Sequence, residues 1–258
     1  MAEPYLGCPD SWRRGTLEPD PASGMIMQVD SGGTPSTRDS TNWDGDIPWL
    51  TPKEVTDMTD GLYVSRTERA ITRRGLASSS AKVCPPGTVM LTKRAPVGAV
   101  AINAVSMATN QGFLNFRCGP ALRPLYLAIW FRVNLPYLNM VANGSTYPEL
   151  YKSDLFEFEL AVPPLSEQDA ILSVVSALQY ISFLGLPLEQ SVITPEDMIR
   201  MQEQNRRLRT IRDAILPKLL SGELNVSRVI TRFSEVVHGY RKAPQPVSGQ
   251  PVPLALWP

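Results

Sequence analysis

The 258-residue chain has one histidine, His238, and three cysteines, Cys8, Cys84 and Cys118, that stand far apart with no CxxC pair. A lone imidazole excludes most histidine-based chemistry, including a hydrolase triad, whose base must be held by a partner. Scattered thiols exclude a disulfide scaffold and a cysteine-rich zinc site, and they suit a reducing compartment. There is no GxxxxGK[ST] phosphate loop and no GxGxxG after a strand. No apolar run approaches the roughly 18 residues of a membrane span, and the start carries no signal-peptide pattern. A soluble, cytoplasmic protein is expected. Asp39, Asp44 and Asp46 lie close together without the glycine and glutamate offsets of a calcium loop, and read as solvated turn residues. Glu149 and Lys152 make only a weak nuclease-like acid–lysine pair, and a surface loop is the stronger reading. No active site, metal site or cofactor of its own is expected.

Proline is plentiful: 24 residues, about 9% of the chain, nearly twice the usual share. This argues for loops, turns and at least one loose end. The net charge is zero, from 25 basic and 25 acidic residues, but the signs are segregated. Residues 1–60 carry 4 basic and 11 acidic side chains, whereas residues 61–119 carry 8 basic ones and only Glu68 as an acid. The basic residues there are Arg66, Arg69, Arg73, Arg74, Lys82, Lys93, Arg94 and Arg117. Such a stretch has the footprint of a surface that meets phosphates, or it is a solvated face that happens to lack acids.

Residues 1–24 show no period and are expected to be poorly ordered. Met25–Val29 reads as a short strand and Ser31–Thr37 (SGGTPST) as a loop. The prolines of 45–55 (GDIPWLTPKEV) predict extended pieces and turns without a helix. Strands are predicted at Thr88–Thr92, Val97–Ile102 and Phe113–Cys118, and a short helix at Leu125–Val133 opened by Pro124. Leu155–Val162 alternates, with Phe156, Phe158, Leu160 and Val162 on one side, and predicts a half-buried strand. The period then becomes helical. Ser166 is a candidate N-cap before the stripe Ile171, Val174, Val175, Leu178 and Ile181. Thr194-Pro195 opens a second helix, in which Met201, Leu208 and Ile215 recur every seven residues, Ile211 and Leu219 widen the seam, and Gly222 is a stop. Residues 227–258 form a Pro-rich flexible tail. The fold class expected is α+β: a domain at 25–164 with a mixed or antiparallel sheet and short helices, followed by a helical, coiled-coil-like region at 165–226.

Six segments come in a telling order: SGGTPST at 31–37, GDIPWLTPKEV at 45–55, PPGTVMLTKRAPVG at 85–98, ATNQGF at 108–113, PPLSEQDAI at 163–171 and NRRLRTIRDAILPKLLSGELNV at 205–226. Together they resemble the specificity (S) subunit of type I restriction–modification systems, over roughly residues 31–226. The resemblance implies a target-recognition domain that reads one half of a split site in double-stranded DNA. It also implies helices that act as spacer and dock the methyltransferase (modification) subunits, with the restriction subunit as a further partner. The S subunit is not itself an enzyme, and the methyl donor and ATP belong to its partners. Usual members hold two recognition domains. This chain holds one and looks half-length, so a homodimer or a second S subunit is implied. The start before Met25 departs from the family, and its first strand is expected to be missing or altered. The alternative is an interaction module, or decayed fragment, that does not bind DNA.

Lys93 and Arg94 precede a rigid Ala95-Pro96-Val97-Gly98 turn. A turn can present an arginine fork to a guanine edge or a phosphate, and a structural ion pair is the competing role. DNA contact is favoured because acids are scarce in the neighbouring sequence. Arg66, Arg69, Arg73 and Arg74 are expected at phosphates or in solvent. Asn110 and Gln111 are amides of the kind that read adenine, or they stabilise a turn. Thr51, Lys53, Ser145, Thr146 and Tyr147 are weaker candidates in polar loops. Trp43, Trp49 and Trp130 are expected in the core. Met201, Leu208, Ile211, Ile215 and Leu219 are expected to pair helices within the chain or between chains.

Overall fold

A computed structural model of the chain describes residues 9–58, 62–94, 96–142, 148–172 and 214–224. The expected α+β architecture is present, built on three sheets. Strands β2 (Ile26–Ser31), β10 (Phe113–Cys118), β7 (Val89–Thr92), β8 (Val100–Asn103) and β4 (Tyr63–Val64) form a five-stranded sheet in that order. β5 (Arg69–Ile71), β3 (Trp43–Leu50), β9 (Met107–Thr109) and β6 (Val83–Cys84) form a four-stranded sheet. β1 (Arg13–Thr16) pairs with β11 (Glu159–Val162). Pairing is antiparallel except for β3 with β9 and β4 with β8, so the larger sheets are mixed.

The apolar runs of β7 and β8 have no alternation because their sheet is covered on both faces. Val89 and Leu91 face the main core with Leu114, Phe116 and Ile102, while Met90 and Ala101 face a second cluster with Leu50, Val55, Met107 and Phe113. Helix α3 (Pro124–Val133) packs against β7 and β8. Six consecutive residues, Tyr126 to Phe131, are buried, as befits a helix enclosed on all sides. Its Tyr126 hydroxyl donates to the Ala161 carbonyl at 3.1 Å and ties the helix to β11.

Several expectations are corrected. Residues 9–24 are not poorly ordered: β1 pairs along Arg13–Thr16, and Trp12 and Leu17 are buried in the main core. The indole of Trp12 donates to Glu167 at 3.1 Å. A first strand is therefore present, held by β11 about 145 positions further along the chain. Pro52–Thr56 is a helix, α1, with proline at its first turn. Only the second half of Leu155–Val162 is strand, since Lys152–Phe156 is a helix, α5, and Phe158 only half-buried. The helix at 165–172 starts one residue before Ser166, with Glu167 and Gln168 N–H groups donating to the Pro164 carbonyl. Asp169 pairs with Arg123 at 2.8 Å. A helical segment at 214–220 is followed by Gly222, where φ is +74°. Leu219 and Leu220 are buried in the main core and Ile215 packs against it, so Leu219 and Ile215 serve this chain's own packing. Val174, Val175, Leu178, Ile181, Met201, Leu208, Ile211 and the tail 227–258 lie outside the described residues. No helix among the described residues is long and apolar enough to cross a membrane.

Candidate nucleic-acid interface

The four-stranded sheet supports a group of loops drawn from distant motifs. In the SGGTPST segment, the Gly33 N–H donates to the Thr109 carbonyl at 2.9 Å. The Trp49 indole donates back to the Gly33 carbonyl at 2.9 Å. A Cβ at Gly33 would stand 2.3 Å from the Ala81 nitrogen, so only glycine fits this approach. The Trp43 indole and the Asn42 amide both donate to the Ser36 carbonyl at 3.1 Å. The Thr34 hydroxyl donates to Gln111 Oε1. Motifs at 31–37, 45–55 and 108–113 thus meet in one place.

Most arginines of the basic stretch gather on this module. Arg69 is on edge strand β5, with its guanidinium carbon 3.5 Å from the Trp43 ring centroid. Arg73 and Arg74 open helix α2 (Arg73–Ala77), which packs on β3, β5 and the 3-10 turn at Ser40–Asn42. Arg74 reaches Asp39 at 3.5 Å. Arg66, Arg73 and Arg38 are exposed, and among the described residues no carboxylate pairs with them. Arg38 lies before the stretch singled out by charge, so the segment count missed it. Exposed Asp44, Asp46 and Glu68 stand on the same module, which makes the patch less basic in space than in sequence.

The other candidates divide. Thr51 is committed to capping α1: its N–H and hydroxyl both donate to Glu54, at 2.8 and 2.7 Å. Lys53 pairs with Asp57 one helical turn on, at 2.5 Å. The Asn110 side-chain oxygen accepts from the Gly112 N–H at 2.8 Å, which is the turn-stabilising role. Gln111 is exposed beside Thr34. Lys82 pairs with Asp30 at 2.5 Å.

Lys93 and Arg94 lie elsewhere, at the end of β7. Lys93 meets Glu149 at 2.7 Å, and Arg94 meets the other oxygen of that carboxylate at 3.5 Å. The Lys93 and Glu149 side chains are only 18% and 20% exposed. The Lys93 hydrogen bond, aided by both nearby positive charges, holds the Glu149 carboxyl below the usual range against partial burial. Acids are scarce near these residues in sequence but not in space. Glu149 was missed as their partner, and nothing at a separation of some fifty-five positions could have flagged it. Lys152 does not complete a nuclease-like pair, because its ammonium donates to the Val29 carbonyl at 2.8 Å.

Among the described residues no group of three metal-ligating side chains forms. Asp39 instead caps the 3-10 turn, where the hydroxyl and N–H of Thr41 lower its pKa. Burial pushes the Cys84 thiol up to about 11, which makes it an inert core group. Ser145, Thr146 and Tyr147 lie outside the described residues.

A family model described as the type I restriction modification DNA specificity domain matches residues 24–184. The chain is 41% identical over 153 residues to the type I restriction enzyme MjaIX specificity subunit of Methanocaldococcus jannaschii, covering 58% of this chain and 35% of that one. It is 24% identical over 201 residues to the HindI specificity subunit of Haemophilus influenzae, covering 77% of this chain and 40% of the relative. The chain therefore spans well under half the length of these relatives. Two solved structures share the fold. One is a chain described in a study of complex assembly and conformational transition of the type I R-M system, with TM-score 0.56 and 21% identity over 87% of this chain and 49% of that one. The other is the HsdS subunit from Thermoanaerobacter tengcongensis, with TM-score 0.52 and 19% identity over 86% of this chain and 48% of that one.

Proposed function

The chain belongs to the family of type I restriction–modification DNA specificity proteins, and from that membership we propose that its two-sheet module binds double-stranded DNA and reads one half of a bipartite site. The carrying observation is the coincidence of the matched residues 24–184 with both large sheets and with the exposed Arg66, Arg69 and Arg73. The module brings modification subunits, and through them the restriction subunit, to that site. The chain supplies recognition and no catalytic group, and methyl donor and ATP act on its partners. These partners are cytoplasmic. A second recognition module, from another copy of this chain or from a different S subunit, supplies the other half-site. Two-fold pairing of identical copies makes the full site palindromic.

Charge pairing limits how many cations are free for phosphates. Of the eight basic residues in 61–119, Arg74, Lys82, Lys93 and Arg94 are held in ion pairs. Arg66, Arg69, Arg73 and Arg117 are exposed, and among the described residues none of them is in such a pair. Phosphate contacts by Arg66, Arg73, Arg117 and the likewise exposed Arg38 predict that log K falls with log salt at a slope of about −3 to −4. Fluorescence anisotropy of the full chain with its modification subunits, on a labelled duplex, measures it. A flat salt response would return the chain to an interaction role without DNA, and no preference among sequences would remove the half-site reading.

A further inference from the structure

We propose that Arg69 is a base reader, presenting its guanidinium fork to a guanine in the major groove; this rests on the DNA-binding reading above. Arg69 lies on the edge strand β5, opposite Trp49 in register. Its guanidinium carbon stands 3.5 Å from the Trp43 centroid and 5.7 Å from that of Trp49. The two indoles meet edge to face at 5.0 Å. Both spend their N–H groups on carbonyls of the 31–37 loop, at 3.1 and 2.9 Å, so neither ring can turn without breaking a bond. The floor under Arg69 is therefore rigid.

A guanidinium this close to an indole contacts it through its flat face. All five donors lie in the guanidinium plane, so stacking leaves the fork free while fixing its orientation. The Arg69 side chain has no hydrogen bond or ion pair among the described residues, and the residue is exposed. No other arginine of the basic stretch combines these properties. Arg74 and Arg94 each face a carboxylate at 3.5 Å. Arg66, Arg73 and Arg117 are exposed and stack on no aromatic ring among the described residues, and a phosphate accepts from many directions without needing one. Bidentate recognition of guanine O6 and N7 does need a fixed plane.

The test uses the full chain with its modification subunits. Duplexes bound by the wild type are enriched from a randomised double-stranded library, and the enriched site becomes the probe. Arg69→Lys keeps the charge and loses the fork. It is expected to bind the enriched site roughly 5- to 100-fold more weakly, with preference lost at one G·C pair and the salt slope unchanged. Replacing guanines one at a time by 7-deazaguanine removes the N7 acceptor without altering the protein. One such replacement should weaken the wild type, and the same replacement should leave Arg69→Lys unaffected. A sequence-specific wild type that tolerates 7-deazaguanine everywhere overturns the assignment of Arg69 alone. Equal loss by Arg69→Lys on all sequences does the same, because that is the signature of a phosphate contact. A wild type that binds duplex with no sequence preference overturns both this assignment and the half-site reading, and one that binds no duplex overturns the DNA-binding reading itself.

Discussion

The five-stranded sheet is covered on both faces, by α3 and the cluster around Phe116 on one side and by Leu50, Val55 and Met107 on the other. The four-stranded sheet has a further cluster of its own, where the buried members are Trp43, Trp49, Ile71, Ala81 and Ala108. Its form depends on indole and amide hydrogen bonds to loop carbonyls and on glycines that admit close backbone contact. Both sheets share the apolar cluster of Leu50, Met90, Met107 and Phe113, and the four-stranded one relies in addition on placed polar contacts to its loops. A recognition surface is best mounted on the four-stranded sheet, because its loops can change without emptying the core.

The sharpest way to break this comparison is at Phe116, fully buried and 5.1 Å from the Phe131 ring. Phe116→Ala should cost about 3–5 kcal/mol in denaturant unfolding and take DNA binding down with the fold. A smaller loss would mean that the five-stranded sheet is not the scaffold. Gly75→Ala should act on the other sheet alone. The new Cβ would stand 2.3 Å from the Asn42 carbonyl oxygen, forcing α2 off the 3-10 turn. About 1–3 kcal/mol is expected. Hydrogen exchange should rise around residues 39–49 and 69–78 while β7 and β10 keep their protection. Exchange that rises equally in both sheets would show a single cooperative unit.

The smallest effect is expected at Glu149, where a charge link sits at the rim. Glu149→Gln should cost about 1–2 kcal/mol through the lost charged hydrogen bond to Lys93. The sign with pH follows from the lowered folded pKa. This contribution is complete above the unfolded carboxyl pKa and is lost as pH falls through the folded one. Urea unfolding of wild type and variant should therefore differ at neutral pH and converge in acid. A difference that persists in acid would assign the loss to packing.

Elements with local signals were legible. β10 coincides with the predicted Phe113–Cys118, and α3 spans the predicted helix and its opening proline. The errors lie where local pattern and tertiary partner disagree. The prolines of 45–55 concealed α1, because Pro52 occupies the first turn, where its missing N–H costs nothing. Residues 155–158 alternate like a strand, yet Leu155 is fully buried within α5 and Phe158 is the half-buried neighbour of Trp130. In the site, Thr51, a weaker loop candidate, hydrogen-bonds Glu54 at the start of α1, and Asn110 makes the turn-stabilising contact that was one of its two readings. Trp43 and Trp49 were read as core; they are buried, and they also form the floor beneath Arg69.

Motif order and composition, taken alone, settled the family, the α+β class and the absence of recognisable catalytic motifs, because these depend on residue types and spacings along one chain. Which cations are free was decided only by the tertiary structure. Coulombic and stacking interactions act through space, across separations a linear count does not see. Lys93 and Arg94 are paired by Glu149, and Lys82 by Asp30, while Arg69 is lifted onto an indole supplied by another strand. The N-terminal strand shows the same limit. Arg13–Thr16 has no strand signal of its own and becomes one because Glu159–Val162 offers it a partner.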